Sequence, residues 1–225
     1  MYQYDEETAK ARIAGRIAKE FSEMSKEKDL FVNLGVGIPT MVADHIDSKR
    51  VFLQAENGML GVGPAACEGE CDPLLINAGR IKVTETPGCS YFDSCMSFGM
   101  IRGGHVDATV IGAFEADQEG NVANWIIPGG KMLGVGGAMD LVAGARRVYI
   151  AMQHLSKKGK PKILKKCTLP ITGYEKIHAI VTEYAVFRFI NKNMYLEEIC
   201  PNMTLNDLKE ITPAEYIVSE KLINF

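Results

Sequence analysis

Glu56 is the residue whose neighbours best suit it to covalent chemistry. It follows the apolar run Val51-Phe52-Leu53 and precedes Asn57-Gly58, within the stretch LQAENGMLGVG at residues 53–63. A lone carboxylate at the mouth of a strand can act as a base, or as a nucleophile that forms a covalent intermediate. The plainer reading is a hairpin. Asn-Gly between apolar runs is a strong tight-turn signal, and Glu56 would then be a surface charge. No other acid is spaced so as to complete a two-carboxylate glycosidase pair.

Two glycine-rich turns are the other places where the chain could meet a ligand. They are LGVGIP at 34–39 and LGVGGAMD at 133–140. Glycine lets backbone N–H groups approach a ligand closely, and a helix N-terminus attracts anions. A dinucleotide site is not supported. The third glycine position is Thr40 in one turn and Met139 in the other, and no suitable acid follows at the required distance. Either turn alone reads as ordinary turn chemistry; two of them together with Glu56 point to a site.

These residues need elements to hold them. Ile13, Ile17, Phe21 and Met24 recur at helical spacing, which predicts a helix over residues 5–27. Asp29 to Leu34 reads as a buried strand broken by Gly35 and Gly37. Pro39 can open a helix over 38–47. Val51 to Gln54 is a second strand. Further strands are predicted at Ile81–Thr84, Val106–Phe114, Val148–Gln153, Ile177–Thr182 and Ala185–Ile190, with a hairpin return over Val122–Ile127 after a turn at Gln118–Asn121. Asp93 can cap a helix over Ser94–Arg102 that stops at Gly103-Gly104. Helices are also predicted through Leu141 and over Leu205–Ile211. Strand and helix alternate, which is the grammar of an α/β domain. No repeat, low-complexity tract or boundary divides the chain, so a single domain over residues 1–225 is expected.

Composition narrows the classes. The chain of 225 residues is 47% hydrophobic with a formal net charge of −3, enough for a large core and unlike a nucleic-acid binder. The most basic stretch, Lys157 to Lys166, carries six lysines. It reads as a solvated loop, with a place near an anionic ligand as the alternative. No window reaches the roughly 20 apolar residues of a membrane span, and the N-terminus lacks a signal-peptide pattern, so a cytoplasmic protein is expected. Six cysteines then read as free thiols. Cys89 and Cys95 are expected in or near the core. Cys67 and Cys71 lack the further ligands that a metal would need.

The motifs taken together resemble the class I coenzyme A transferases. QAENGMLGVGP resembles their glutamate segment, usually written S-E-N-G. VNLGVGIPTMVAD, FDSCMSFGMIRGGHVDATVIGAF, GNVANWIIPGGKM, GVGGAMDLVAGARRVYIAMQH and KILKKCTLPITG resemble further segments in the same order, so the likeness covers roughly residues 8–220. In particular the chain resembles the B (β) subunit of acetoacetate-type, short-chain fatty acid transferases, whose A (α) subunit is a separate chain.

The resemblance implies an open, mostly parallel α/β sheet with helices on both faces. It implies Glu56 as the nucleophile and a ping-pong transfer of CoA through a glutamyl-CoA thioester. Gly136 and Gly137 become oxyanion donors, with Gly137 the better candidate. Asn33 would position the glutamate, Gly35 and Gly37 would shape the same floor, and Lys131 is a candidate partner for a CoA phosphate. His105, His154 and Trp125 are assigned packing roles. No metal and no tightly bound cofactor is implied: CoA is substrate and transient adduct. The implied partner is an α subunit in an α2β2 assembly. Acetoacetate with acetate or butyrate is the expected substrate set. The alternatives are 3-oxoadipate with succinate, acyl-CoA hydrolysis on the same scaffold, and a non-catalytic regulatory subunit. Three departures from the pattern stand out. Ala55 replaces serine. PGGKMLGVGG carries an extra glycine before Lys131 and one residue fewer after it. ETPG at 85–88, expected to touch the acyl group, replaces a leucine-proline-glycine run.

Overall fold

The computed structural model describes residues 4–67, 69, 72–127, 129–130 and 134–225. The first helix, α1, spans Glu6–Met24. Asp5 caps it by accepting the Thr8 N–H at 2.9 Å, and its buried stripe is Ile13, Ile17 and Phe21. Strand β1 (Leu30–Leu34) follows, then the short α2 (Ile38–Met41), which opens with Pro39 and runs into a 3₁₀ turn over Val42–His45. Strands β2 (Val51–Ala55), β3 (Met59–Ala65) and β4 (Val83–Tyr91) form an antiparallel arm. Helix α3 (Ser94–Arg102) begins at the predicted cap, where Asp93 accepts the Met96 N–H.

Strands β5 (Ala108–Ile111), β6 (Glu115–Asp117) and β7 (Val122–Ala123) come next, then α4 (Ala138–Gly144) and β8 (Val148–Ala151). The chain continues through β9 (Ile163–Leu164), β10 (Ile177–Val181), β11 (Ala185–Ile190) and β12 (Asn193–Ile199), then α5 (Leu205–Ile211) and β13 (Ile217–Asn224).

Ten strands make one sheet in the order β13-β12-β11-β10-β8-β5-β1-β2-β3-β4. Five of its nine junctions are parallel, and these include the central run from β10 through β8, β5 and β1 to β2. The antiparallel pairs lie toward the two ends. A second, small sheet joins β7, β6 and β9. Alternation along the central strands sends side chains to two cores. Val32, Val110 and Tyr149 meet α1, whereas Ile111, Val148 and Ile150 meet Val142 of α4 and Leu208 of α5. Among the described residues two largely buried ion pairs fix α1 on the far strands. Arg16 bonds Glu198 of β12, and Glu20 accepts from Arg188 of β11 and from the Tyr149 hydroxyl.

From β1 the chain steps to β2 on one side, runs out to the edge at β4, then returns to place β5 on the other side of β1. The connections therefore diverge between β1 and β5. At such a reversal in an open α/β sheet, the loops beyond the carboxyl ends of the strands part and leave a crevice.

Several sequence expectations need correction. The strand expected over 106–114 is paired only over Ala108–Ile111, and the hairpin return over 122–127 shrinks to Val122–Ala123. Cys95 is exposed on the outer side of α3, since a nine-residue helix on a sheet has one face free; Cys89 is half-buried. Cys71 lies outside the described residues.

Candidate functional site

Glu56 sits on a three-residue loop between Ala55 and Met59, which pair directly across β2 and β3. The Gly58 N–H closes the turn on the Ala55 carbonyl at 3.0 Å. Gly58 adopts φ 126°, and a Cβ there would lie 2.1 Å from the Phe92 carbonyl oxygen, so only glycine fits. Asn57 anchors the loop by donating to the Ile76 carbonyl at 2.9 Å. The hairpin reading of Asn-Gly is therefore correct, yet Glu56 is not a free surface charge. It is half-buried, and its carboxylate accepts the Asn33 Nδ2–H at 3.0 Å.

A row of polar side chains beneath the glutamate sets that contact. Gln54, Asn33 and Thr109 are in register on β2, β1 and β5, so all three project to the α3–α4 side. Each is buried. Asn33 Nδ2 also donates to the Gln54 carbonyl at 3.1 Å and to Gln54 Oε1 at 2.7 Å. Three acceptors around that end of the amide require its NH₂ to face them. Gln54 Nε2 in turn donates to Ser97 Oγ of α3 at 2.8 Å. Ser97, Gln54, Asn33 and Glu56 thus form one hydrogen-bonded chain from the helix to the loop.

Gly137 closes the other side. A Cβ on it would meet Glu56 Cγ and Phe98 Cε1, each at 3.4 Å. The pairing of α3 with α4 brings it there. Gly144 lets the helices touch, since a Cβ would come within 2.3 Å of the Ile101 carbonyl oxygen, and Arg102 bonds Asp140 across the contact at 2.6 Å. Gly136 has φ 50°, and neither Gly136 nor Gly137 donates its N–H to any of the described residues.

A cleft of about 690 Å³ opens over this group. It lies at the carboxyl ends of β1, β5 and β8, where the topology reverses, and Gly35, Gly112, Glu56 and the 134–137 turn form its walls. Gly35 is pinned there by its N–H on the Val110 carbonyl at 2.8 Å. Gly37, with φ 91°, lines an adjoining cavity instead. Among the described residues two cations border the cleft, Arg80 and Lys162. Lys162 belongs to the basic run, whose other lysines are exposed. It is half-buried, and that burial pushes its ammonium down to about 8 against the opposing pull of Glu183.

Of the predicted site residues, Glu56, Asn33, Gly136, Gly137 and Gly35 come together. Lys131 lies outside the described residues. Residues 85–88 sit in edge strand β4 and do not line the cleft, because the long arm carries them away from the loop. His105 is exposed at the end of α3, its N–H on the Met100 carbonyl. His154 is buried between the Thr182 and Thr212 hydroxyls, and burial lowers it to about 3, so it packs as a neutral ring. Gln54, Ser97, Phe98 and Lys162 were not anticipated individually. Gln54, two residues before Glu56 on the same strand, carried the only local signal. Among the described residues no cluster of three or more His, Cys, Asp or Glu could hold a metal, and no helix is long and apolar enough to cross a membrane.

Comparison with known proteins is consistent with this geometry. Residues 14–210 match the family described as coenzyme A transferase. The chain is 45% identical over 217 residues to the B chain of the probable succinyl-CoA:3-ketoacid coenzyme A transferase of Bacillus subtilis, covering 96% of this chain and 98% of that one. It is 47% identical over 215 residues to the β chain of the acetate CoA-transferase of Escherichia coli, covering 95% and 96%. Among solved structures it resembles an acyl-CoA transferase of Escherichia coli O157:H7 in a thioester complex with CoA, at a TM-score of 0.75 and 21% identity. All of this chain is covered, but it spans only 44% of that longer chain.

Proposed function

The chain belongs to the coenzyme A transferase family, and from that premise we propose that it is the nucleophile-bearing β subunit of a heteromeric enzyme that moves CoA between short acyl groups. The observation that carries this reading is the Glu56 carboxylate held at 3.0 Å by Asn33, on a turn facing Gly137 across an open cleft.

In this mechanism Glu56 attacks the thioester carbonyl of an acyl-CoA. The C–S bond breaks, CoA leaves as thiolate, and an acyl-glutamyl anhydride remains. The thiolate then attacks the glutamyl carbonyl, the acyl group departs as a carboxylate, and Glu56 is left as a CoA thioester. A second carboxylate attacks that thioester and releases CoA thiolate, which takes the new acyl group from the anhydride and frees Glu56. Thioester energy is conserved throughout, so the cycle needs neither ATP nor a metal. Each addition creates a tetrahedral oxyanion, and the N–H groups of Gly136 and Gly137, which donate to none of the described residues, are suited to receive it. Asn33 keeps the carboxylate oxygen aimed into the cleft.

The Bacillus and Escherichia relatives are each named as one of the chains of a multichain enzyme, which supports an α partner for this chain. An α2β2 assembly is the form we propose, with CoA held across the contact between chains and acetoacetate, acetate or butyrate as acids. A soluble, cytoplasmic enzyme is part of the same reading.

The deciding experiment is the intact mass of this chain, within its complex, after incubation with butyryl-CoA and no acceptor. A CoA-sized adduct on the Glu56 peptide, discharged by acetate, is the expected result. Turnover without any adduct would refute the glutamyl thioester.

Lys162 gives a second test. It is charged below pH about 8 and neutral above. An incoming carboxylate therefore meets the Lys162 charge on the acid side only, while Arg80 keeps its charge throughout. The KM for the acceptor acid is expected to rise between pH 7.5 and 9. Lys162→Met should raise it roughly tenfold at pH 7 and flatten the profile. A KM that stays flat in the parent enzyme would remove Lys162 from acid binding.

A further inference from the structure

The small sheet β7-β6-β9 stands beside the Glu56 cleft, and Phe114, Asn124 and Lys162 bring it to the cleft wall. The segments GNVANWIIPGGKM and KILKKCTLPITG meet there. Two carboxylates of β6 hold the second segment in place. Asp117 accepts the Cys167 N–H at 3.0 Å, and Glu115 accepts the Thr168 N–H at 2.6 Å and the Leu169 N–H at 3.0 Å. The end of the segment is seated between β7 and α4. The Thr172 N–H donates to the Val122 carbonyl at 2.7 Å, and a Cβ on Gly173 would fall 2.3 Å from Val142 Cγ1. Thr172 is buried by this packing.

The Thr172 hydroxyl decides how Asn124 is turned. Its Oγ1 accepts the Asn124 backbone N–H at 3.1 Å, and its own proton reaches the Asn124 side-chain oxygen at 2.7 Å. Only Oδ1 can receive that proton, which leaves the NH₂ on the other side. The NH₂ donates to none of the described residues. Nor is it sealed in: the buried side-chain atoms without partners among the described residues are Asn33 Oδ1, Thr109 Oγ1 and Trp125 Nε1. Asn124 is half-buried and lines the cleft, so it offers a neutral donor in a fixed orientation, on the same wall as the Lys162 cation.

The two donors suit different oxygens. A carboxylate is drawn to the ammonium, whereas a ketone oxygen carries no charge and is matched by an amide N–H. An acid that uses both must carry a carbonyl close to its carboxylate. We infer that the Asn124 amide donates to the 3-oxo oxygen of a 3-oxo acid, and that by this bond the enzyme tells such an acid from a saturated acid of equal length. The inference rests on the reading of Glu56 as the acyl acceptor and of Lys162 as the partner of the incoming carboxylate. A saturated acid places a methylene against the NH₂, which then loses its water and gains no partner. Thr172 acts through Asn124 and is a positioning residue.

The test uses the assembled enzyme, with acetyl-CoA as donor and acetoacetate or butyrate as acceptor. The readout is the acetoacetate-to-butyrate ratio of kcat/KM. Asn124→Leu keeps the volume and removes the donor, and it should lower the ratio by about tenfold or more. A ratio within about twofold of the parent overturns the inference, whether both acids suffer equally or neither does.

Thr172→Val is the second arm, and it decides the matter should Asn124→Leu fail to fold. It keeps the shape but removes the hydroxyl, so the amide can turn and the ratio should fall by about threefold or more. Thr172→Ser restores the hydroxyl and should bring the ratio back to the parental value. A role in packing alone would not follow the hydroxyl in this way. A parental ratio in Thr172→Val overturns the fixed amide and the inference with it. A parent enzyme that transfers CoA to neither acid would refute the proposed function as well, whereas an unaltered ratio in an active variant refutes the inference alone.

Discussion

Glu56→Ala should lower transfer by about 10⁴-fold or more while the protein stays folded and associated with its partner. Loss of a covalent nucleophile removes the route itself, and such losses reach about 10⁶-fold elsewhere. The turn does not depend on the carboxylate. Gly58, Asn57 and the Ala55–Met59 pairing hold it without any help from Glu56. The melting temperature should therefore change by only a few degrees. Glu56→Gln is the stricter variant, since it keeps the volume and can still accept from Asn33. It should be as inactive as the alanine variant. Initial rates by CoA exchange, with circular dichroism alongside, check both. A variant keeping more than a hundredth of parental transfer would show that Glu56 is not the acyl acceptor.

Asn33→Ala carries the second large effect, a fall of about 10²–10³-fold that resides mainly in kcat. Its amide is the only side-chain donor to Glu56 among the described residues, and it also ties Gln54 to that loop. Removing it frees the carboxylate to turn away and leaves the Gln54 oxygen unpaired in a buried row. Preorganised donors of this kind contribute about 2.7–4 kcal/mol to a rate. Because Asn33 acts on Glu56 and does not bind CoA in this mechanism, KM for acyl-CoA should change little. Asn33→Asp adds a telling control. Two carboxylates about 3 Å apart cannot both ionise freely, so activity should become strongly dependent on pH, returning as one of them takes a proton. A kcat for Asn33→Ala within threefold of the parent would mean that Asn33 only fills space.

The sequence was most legible where structure is local. Caps at Asp93 and Thr204 start α3 and α5 at the expected residues, because the capping bonds reach only three positions along the chain. Strands β3 and β4 were obscured for the opposite reason. Gly61, Gly63 and Pro64 look like turn residues, but in the arm the two glycines allow close strand contact. A Cβ on Gly63 would fall 2.5 Å from Thr84 Oγ1, and one on Gly61 would fall 3.0 Å from Cys89 Cα. Glycine selected by a neighbouring strand is indistinguishable, in one sequence, from glycine selected by a bend. Strands β12 and β13 mix charged and apolar residues and include few long apolar runs, so their pairing gave little periodic signal.

The same division holds at the site. Glu56, Asn33 and Gly137 could be marked through motifs. Ser97 and Phe98 could not, since their roles exist only once α3 lies under the sheet and against α4. Lys162 was visible as one lysine among six, and only the turn of the chain at β9 separates it from its solvated neighbours.

The bonded chain from Ser97 through Gln54 and Asn33 to Glu56 also bears on how the molecule is made. Its members come from α3, β2, β1 and the hairpin loop, and Gly137 joins from the start of α4, farther still along the chain. The Asn33 bonds require β1 paired with β2, the Gln54 bond to Ser97 requires α3 docked on that pair, and the Gly137 contact requires α4 as well. A helix such as α1 can close its own backbone bonds within microseconds, but the Glu56 carboxylate is aligned only after slower, long-range pairings are complete. On the proposed mechanism, a nascent or partly folded chain should be chemically silent toward thioesters, with reactivity arriving in the last steps of folding.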